Sequence, residues 1–298
     1  MNAVADESVL WLHRDRAEAL ARAGDAFREL RDPRALGLAA VQQRAVEGLV
    51  RLSHDGNAGC GLLTAGAGLG KTLVRATLQQ RLAPERCATV VVESGLLEFD
   101  DLLLEILSQL RGERILPAQL PGRYERIAEF KSTLVSDIVA TGRHLVLLLD
   151  DADRASAGTL DAVGALTNLS SDRQTFVLPV FFGQPSLRQS LARLPTLRQR
   201  IGAHFTLSAL DAVESVACLE RRLRTIGLES EQVFDTGLPV RLHEAAGGVP
   251  RVLNALCRHA LLDASDRGHG VATGASLDAA RSMILDGGSS SSAVFPGQ

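Results

Sequence analysis

A chain of 298 residues, 46% apolar and 22% charged, is long enough to bury one large core or two modest ones. Its formal charge of −3 argues against a general nucleic-acid binder but leaves room for a local basic face, and Cys60, Cys87, Cys218 and Cys257 lack the pairing or histidine spacing of a disulfide framework or a zinc site. No window approaches the ~18 uninterrupted apolar residues of a membrane helix, and the opening MNAVADESVLWLHRDRAEAL lacks the pattern of a secretory leader, so a cytoplasmic protein without a membrane span is expected.

In chain order, residues 8–50 carry a helical pattern broken at RDPRALG, with an amphipathic helix over 40–52. Short apolar runs then alternate with helical stretches. CGLLTA reads as a strand, 71–82 as helix, ATVVVES as strand, 99–111 and 123–141 as helices, and HLVLLLD as strand. A helix over 157–169, the strand TFVLPVFFG, a helix over 186–194 and the strand AHFTLS follow. Uninterrupted apolar strands separated by helices imply a parallel sheet covered on both faces, an α/β fold. After Leu207 the pattern is helical only: 212–226, 239–246, 249–264 and 276–285. The expected division is an N-terminal helical segment (1–34), an α/β core (35–207), a small all-α lid (208–285) and a Gly/Ser-rich tail (286–298) too poor in apolar residues to pack.

The stretch joining the first strand to its helix carries the chemistry. Ala65, Gly66, Ala67, Gly68, Leu69, Gly70, Lys71, Thr72 and Leu73 follow the pattern of a phosphate-binding loop, G-x-x-x-x-G-K-[ST], with Ala65 at the first glycine. In that arrangement backbone N–H groups and the helix N-terminus face a phosphate, Lys71 reaches the β- and γ-phosphates, and Thr72 offers its hydroxyl to Mg²⁺. Of 32 basic residues only Lys71 and Lys131 are lysine. A compact ammonium on a slim stem enters a phosphate cradle where a planar guanidinium does not fit equivalently, so position 71 is chemically constrained. HLVLLLDDADRAS then ends an apolar strand in Asp150, placed to help hold Mg²⁺, and Asp151, placed to orient an attacking water.

These segments, with DPRAL, ESGLLEFDDLLLEIL, ALTNL, FFGQPSLRQSL, LRQRI and AAGGVPRVLNALCRHALL, resemble the ExeA/GspA branch of the AAA+ ATPases, relatives of the transposition ATPases TniB and MuB, over roughly residues 27–285. The resemblance implies a P-loop NTPase with a parallel sheet between helices and a helical lid, binding ATP with Mg²⁺. By the same resemblance Gln184 corresponds to a sensor near the γ-phosphate. Arg200, with Arg198 as second choice, corresponds to the arginine finger given to a neighbouring subunit, and Arg251 to a lid sensor. Ala65 and Asp151, where a glutamate is usual, depart from the family pattern.

The functional expectation is an ATPase acting as a homo-oligomer to assemble or remodel a protein complex of unidentified membership. The alternative is a transposition-type accessory ATPase on duplex DNA, motivated by Arg188, Arg193, Arg198, Arg200, Arg221, Arg222 and Arg224. A third reading, a slowly cycling nucleotide switch, is motivated by the short carboxylate at Asp151.

Overall fold

The computed structural model describes residues 18–28, 37–55, 59–93, 95–171 and 175–284. Two compact units emerge: residues 40–208, and a second unit joining residues 209–298 to residues 1–39.

The first unit holds α2 (Ala40–His54), β1 (Cys60–Ala65), α3 (Lys71–Arg81), β2 (Cys87–Val92), α4 (Phe99–Arg111), α5 (Arg123–Thr133), β3 (His144–Leu149), α6 (Ala157–Ala165), β4 (Val177–Gly183), α7 (Pro185–Ala192), the short α8 (Pro195–Arg198) and β5 (Ile201–Leu207). The five strands form one sheet in the order β2-β3-β4-β1-β5, every neighbouring pair parallel. Parallel strands require crossover helices, and those helices bury both faces. β1 and β4 are buried at every residue, which is why they read as unbroken apolar runs rather than alternating ones. α4 shows how a crossover attaches. Phe99, Leu102, Leu103, Ile106 and Leu107 fall at i, i+3, i+4, i+7 and i+8 and bury one stripe, and the helix stops at Gly112, whose φ of 69° suits a left-handed C-terminal residue. Edge strand β2 is sealed by a side chain: Gln109 of α4 accepts from the Val91 N–H (3.0 Å) and donates to the Val91 carbonyl (2.7 Å), masking edge groups open to further pairing.

The long helix expected over 123–141 is interrupted. α5 ends at Thr133, a π-helical turn spans Leu134–Ile138, and a 3₁₀ turn over Val139–Thr141 closes on Gly142. An inserted residue of this kind leaves the local pattern helical, which is why the sequence reads as one helix.

The second unit contains α1 (residues 18–26), α9 (Ala212–Arg224), the single-turn α10 (Ser230–Val233), α11 (Leu238–Ala246), α12 (Pro250–Asp266) and α13 (Gly274–Ile284). α9 begins with a capping box between Asp211 and Glu214. The described residues of the N-terminal segment group with the helical unit. Leu20, Ala23, Ala26 and Phe27 are buried in one core with Leu219, Leu223, Leu253 and Leu256. The buried Arg222 fixes them further, its Nη1 donating to the carbonyls of Ala26 (2.9 Å) and Arg28 (3.2 Å) at the end of α1, where helix carbonyls lack partners. The tail expected over 286–298 lies outside the described residues.

Candidate nucleotide site

The loop after β1 owes its shape to two glycines. Gly68 (φ 77°) and Gly70 (φ 94°) adopt left-handed conformations that L-residues with a Cβ enter at a cost. Gly70 is also the N-terminal cap of α3. A Cβ there would stand 2.5 Å from Gln42 Nε2. Gln42 is buried on α2 and donates from that same nitrogen to the Leu69 carbonyl at 3.1 Å. The loop is thus braced from behind by a neutral amide. Ala65, in contrast, is the last residue of β1, paired with Leu207 and fully buried. Its φ is not positive, so alanine is accommodated without strain where the family pattern has glycine.

Lys71, the first residue of α3, folds back over the loop, its Nζ donating to the carbonyls of Ala65 (3.1 Å) and Gly66 (3.3 Å). Thr72 follows on the exposed side of the helix start. β1 and β3 both run parallel to β4, so Lys71 and Thr72 lie at the same end of the sheet as Asp150, which directly follows β3. Asp150 is 7% exposed. Its Oδ1 accepts the Asp151 N–H at 3.0 Å, its Oδ2 accepts Arg75 Nε at 2.9 Å, and its own N–H donates to the Val92 carbonyl at 2.8 Å. Burial pushes its carboxyl above the ordinary range, and the Arg75 guanidinium opposes that shift.

Asp151 is the sole non-glycine residue with positive φ (48°) among those described. Its side chain is exposed, and its carbonyl lies directly where a Cβ on Gly95 would be, so Gly95 has to be glycine for the turn to pack. Asp153 links this turn to the next strand, its Oδ1 accepting the Gln184 N–H at 2.9 Å. Gln184 follows β4 and caps α7 with its side chain exposed. Lys71, Thr72, Asp150, Asp151 and Gln184 therefore all stand at the carboxyl ends of the strands, where ligands bind in open α/β sheets.

Arg200 stands at the other end. It immediately precedes β5, whose Ile201 pairs with Cys60 at the start of β1. The length of β1 therefore separates it from its own loop, about 20 Å at ~3.3 Å per residue. Its guanidinium donates to the side chains of Thr167 and Asn168, and its carbonyl accepts the Cys60 N–H at 2.6 Å. Arg198, two residues earlier, is exposed. Arg251 belongs to the other unit, in the first turn of α12 behind Val249 and Pro250. The turn before it is tight: Gly247 and Gly248 have φ of 58° and 69°, and Leu210 backbone packs against Gly248.

Sequence reasoning missed Gln42, Arg75, Glu93 and Asp153. One signal was available for Arg75, which occupies the buried stripe of α3 with Val74 and Leu78, and an arginine on an apolar stripe implies a buried counter-charge. The donor set itself fits a hard divalent cation, since a threonine hydroxyl and a carboxylate are oxygen ligands of the type Mg²⁺ prefers. The left-handed glycines and a helix start whose cap, Gly70, makes no side-chain hydrogen bond fit a phosphate.

A five-stranded parallel sheet with a glycine loop between β1 and α3 and a carboxylate ending β3 defines a P-loop domain of the AAA+ class. Residues 54–191 match the AAA domain family model. General secretion pathway protein A of Aeromonas hydrophila is 33% identical over 241 residues, 76% of this chain, while the chain spans 41% of that relative's length. Among solved structures, the Aeropyrum pernix ORC2 protein in its ADPNP-ADP complexes superposes with a TM-score of 0.65 at 18% identity, covering 86% of this chain and 71% of that one. Drosophila ORC bound to DNA gives a TM-score of 0.64 at 16% identity, with 90% and 66% covered. The chain belongs to the AAA+ ATPases, in their ExeA/GspA-like branch. Among the described residues no helix is long and apolar enough to cross a membrane.

Proposed function

We propose that this chain binds ATP with Mg²⁺ and hydrolyses it as a homo-oligomer, and that the cycle drives assembly or remodelling of a protein complex in the manner of a secretion-associated ATPase. One observation carries the reading: a braced glycine loop, Lys71, Thr72 and a buried Asp150 share one end of the sheet in a relative of general secretion pathway protein A.

In this reading the α3 N-terminus and Lys71 hold the phosphates, with Lys71 leaving the Ala65 and Gly66 carbonyls for the stronger acceptors. Thr72 and Asp150 hold Mg²⁺, which when bound offsets phosphate charge. Asp151 accepts a proton from, and orients, the attacking water, with Gln184 beside it. Arg200 or Arg198 serves the neighbouring subunit's nucleotide, because Arg200 stands at the wrong end of the sheet to serve its own. Arg251 ties the helical unit to nucleotide state.

A DNA-binding role is a second reading, favoured by residues 184–200, which contain four arginines and neither Asp nor Glu. ATP hydrolysis measured against protein concentration, with and without duplex DNA and with Lys71→Ala as blank, tests both. A rate per subunit that rises with concentration and ignores DNA supports the oligomeric, protein-directed reading, and strong stimulation by DNA supports the second. Activity that persists in Lys71→Ala refutes the site.

A further inference from the structure

The site contains an ion-pair array that the loop motif does not predict. Arg75 lies one helical turn beyond Lys71, 7% exposed. Its Nε donates to Asp150 Oδ2 and its Nη2 to Glu93 Oε1, both at 2.9 Å. Glu93 directly follows β2, with its side chain 73% exposed. Three neighbouring elements, α3, β2 and β3, thus present charged groups to one another at the end of the sheet that holds the loop.

Two features separate this array from a simple staple between helix and sheet. The first is geometric. With Asp151 N–H on Oδ1 and Arg75 on Oδ2, both oxygens of Asp150 are held in place while each keeps a second lone pair. The second is electrostatic. Arg75 and Asp150 alone form a neutral pair with little attraction for a dication, and Glu93 restores a net charge of −1 to the group. A staple without ligand chemistry is made more cheaply from apolar residues, because burying a guanidinium carries a desolvation cost.

We propose that Arg75 is a positioning residue for the metal ion of the nucleotide site, acting through Asp150, and that Glu93 is its anchoring counter-charge. The proposal rests on the ATP·Mg²⁺ reading above. Partners of this kind behind a metal ligand shift metal affinity by about 10- to 100-fold when removed.

The test is binding of a fluorescent N-methylanthraniloyl ATP to the full chain, in EDTA and along a Mg²⁺ titration, with melting temperatures recorded in parallel. Arg75→Gln also removes a cation beside the site, which by charge alone tightens Mg²⁺; loss of the positioning contact outweighs this, so the Mg²⁺ midpoint is expected to rise by about 10-fold while nucleotide affinity in EDTA stays at the wild-type value. Glu93→Gln, whose exposed side chain makes folding failure a minor concern, shifts the midpoint in the same direction and decides the matter if Arg75→Gln does not fold. Arg75→Lys retains the charge but is a point donor that cannot span both carboxylates, so it recovers melting temperature more than it recovers the Mg²⁺ midpoint. Lower melting temperatures with an unshifted Mg²⁺ midpoint overturn the proposal and leave Arg75 a staple, and a lowered midpoint in Arg75→Gln overturns it by showing that only its charge is felt. A wild-type chain that binds no nucleotide with or without Mg²⁺ overturns the ATP reading and this proposal together, a result distinguishable from the first.

Discussion

The contact between Gln42 and Gly70 allows a quantitative test of how the loop is held. Gly70→Ala places a methyl group on a residue with φ of 94° and 2.5 Å from Gln42 Nε2. The left-handed conformation costs an alanine about 1–2 kcal/mol. Displacing the Gln42 amide breaks its 3.1 Å bond to the part-buried Leu69 carbonyl, and taking this donor from that carbonyl costs a further ~1–3 kcal/mol. The sum is about 2–5 kcal/mol. Gln42→Ala alone loses the bond but adds no clash, and costs ~1–3 kcal/mol. In the double variant the bond is lost once and the clash is gone, so its cost falls below the sum of the two single costs by at least ~1 kcal/mol, beyond the ~0.3–0.5 kcal/mol scatter of independent sites. Gly66→Ala is the control: its φ is not positive and its nearest neighbour, Leu69 Cδ1, stands at an ordinary 3.4 Å, so less than ~0.5 kcal/mol is expected. Urea unfolding monitored by circular dichroism reads all four variants. Additivity of the Gln42 and Gly70 effects, or equal costs at Gly66 and Gly70, refutes the bracing argument.

Other expectations concern backbone, pH and assembly. Asp151→Gly relieves a left-handed residue but adds freedom to the unfolded chain, so thermal stability should change by less than ~1 kcal/mol, while ATP turnover is abolished if the carboxylate orients water; undiminished turnover rejects that role. Burial, with His54 beside it, pushes His144 below the ordinary histidine value, and burial with Arg188 does the same to His204. The unfolded chain therefore binds more protons than the folded one just below pH ~6.5, so this stability contribution is present above that value and lost as pH falls. A His144→Gln, His204→Gln double variant should show a flatter melting temperature between pH 7.5 and 5.5, and an unchanged slope counts against it. Mixing Arg200→Ala with Asp151→Asn subunits should restore part of the turnover that each lacks alone, because a mixed interface pairs an intact arginine with an intact acid. If turnover is not restored, Arg200 does not act in trans.

The sheet was legible because parallel strands buried on both faces are forced to be apolar throughout, as in β1 and β4. The placement of Lys71, Thr72 and Asp150 at one end of the sheet was legible because a loop of fixed length and the end of an apolar strand set it without reference to the rest of the chain. What escaped depends on contacts between distant segments. Arg75 meets Asp150 across 75 positions and Gln42 meets Leu69 across 27, and no periodicity encodes either partner. The amphipathic stripe Leu20, Ala23, Phe27 announces a helix with a buried face, yet that it packs beside Leu219 and Leu253 is a property of the second unit's core. The π-helical turn after Thr133 was hidden because it leaves a helical pattern intact.

Asp151 connects the departure from the family pattern to the fold. Aspartate and asparagine enter the left-handed region more readily than longer side chains because their short polar groups bond locally, and residue 151 sits there with its carbonyl packed against Gly95. The turn therefore gives a backbone reason for aspartate where a glutamate is usual, independent of any demand for slow turnover. The same turn supplies the N–H that holds Asp150 Oδ1 and, two residues on, the carboxylate that holds Gln184. Strain at one residue thus organises the ends of β3 and β4 around the loop, while Arg198 and Arg200 remain at the far end of the sheet. Under the proposed function, the acids and the lysine come from one subunit and the finger arginine from another, which is why turnover should depend on assembly.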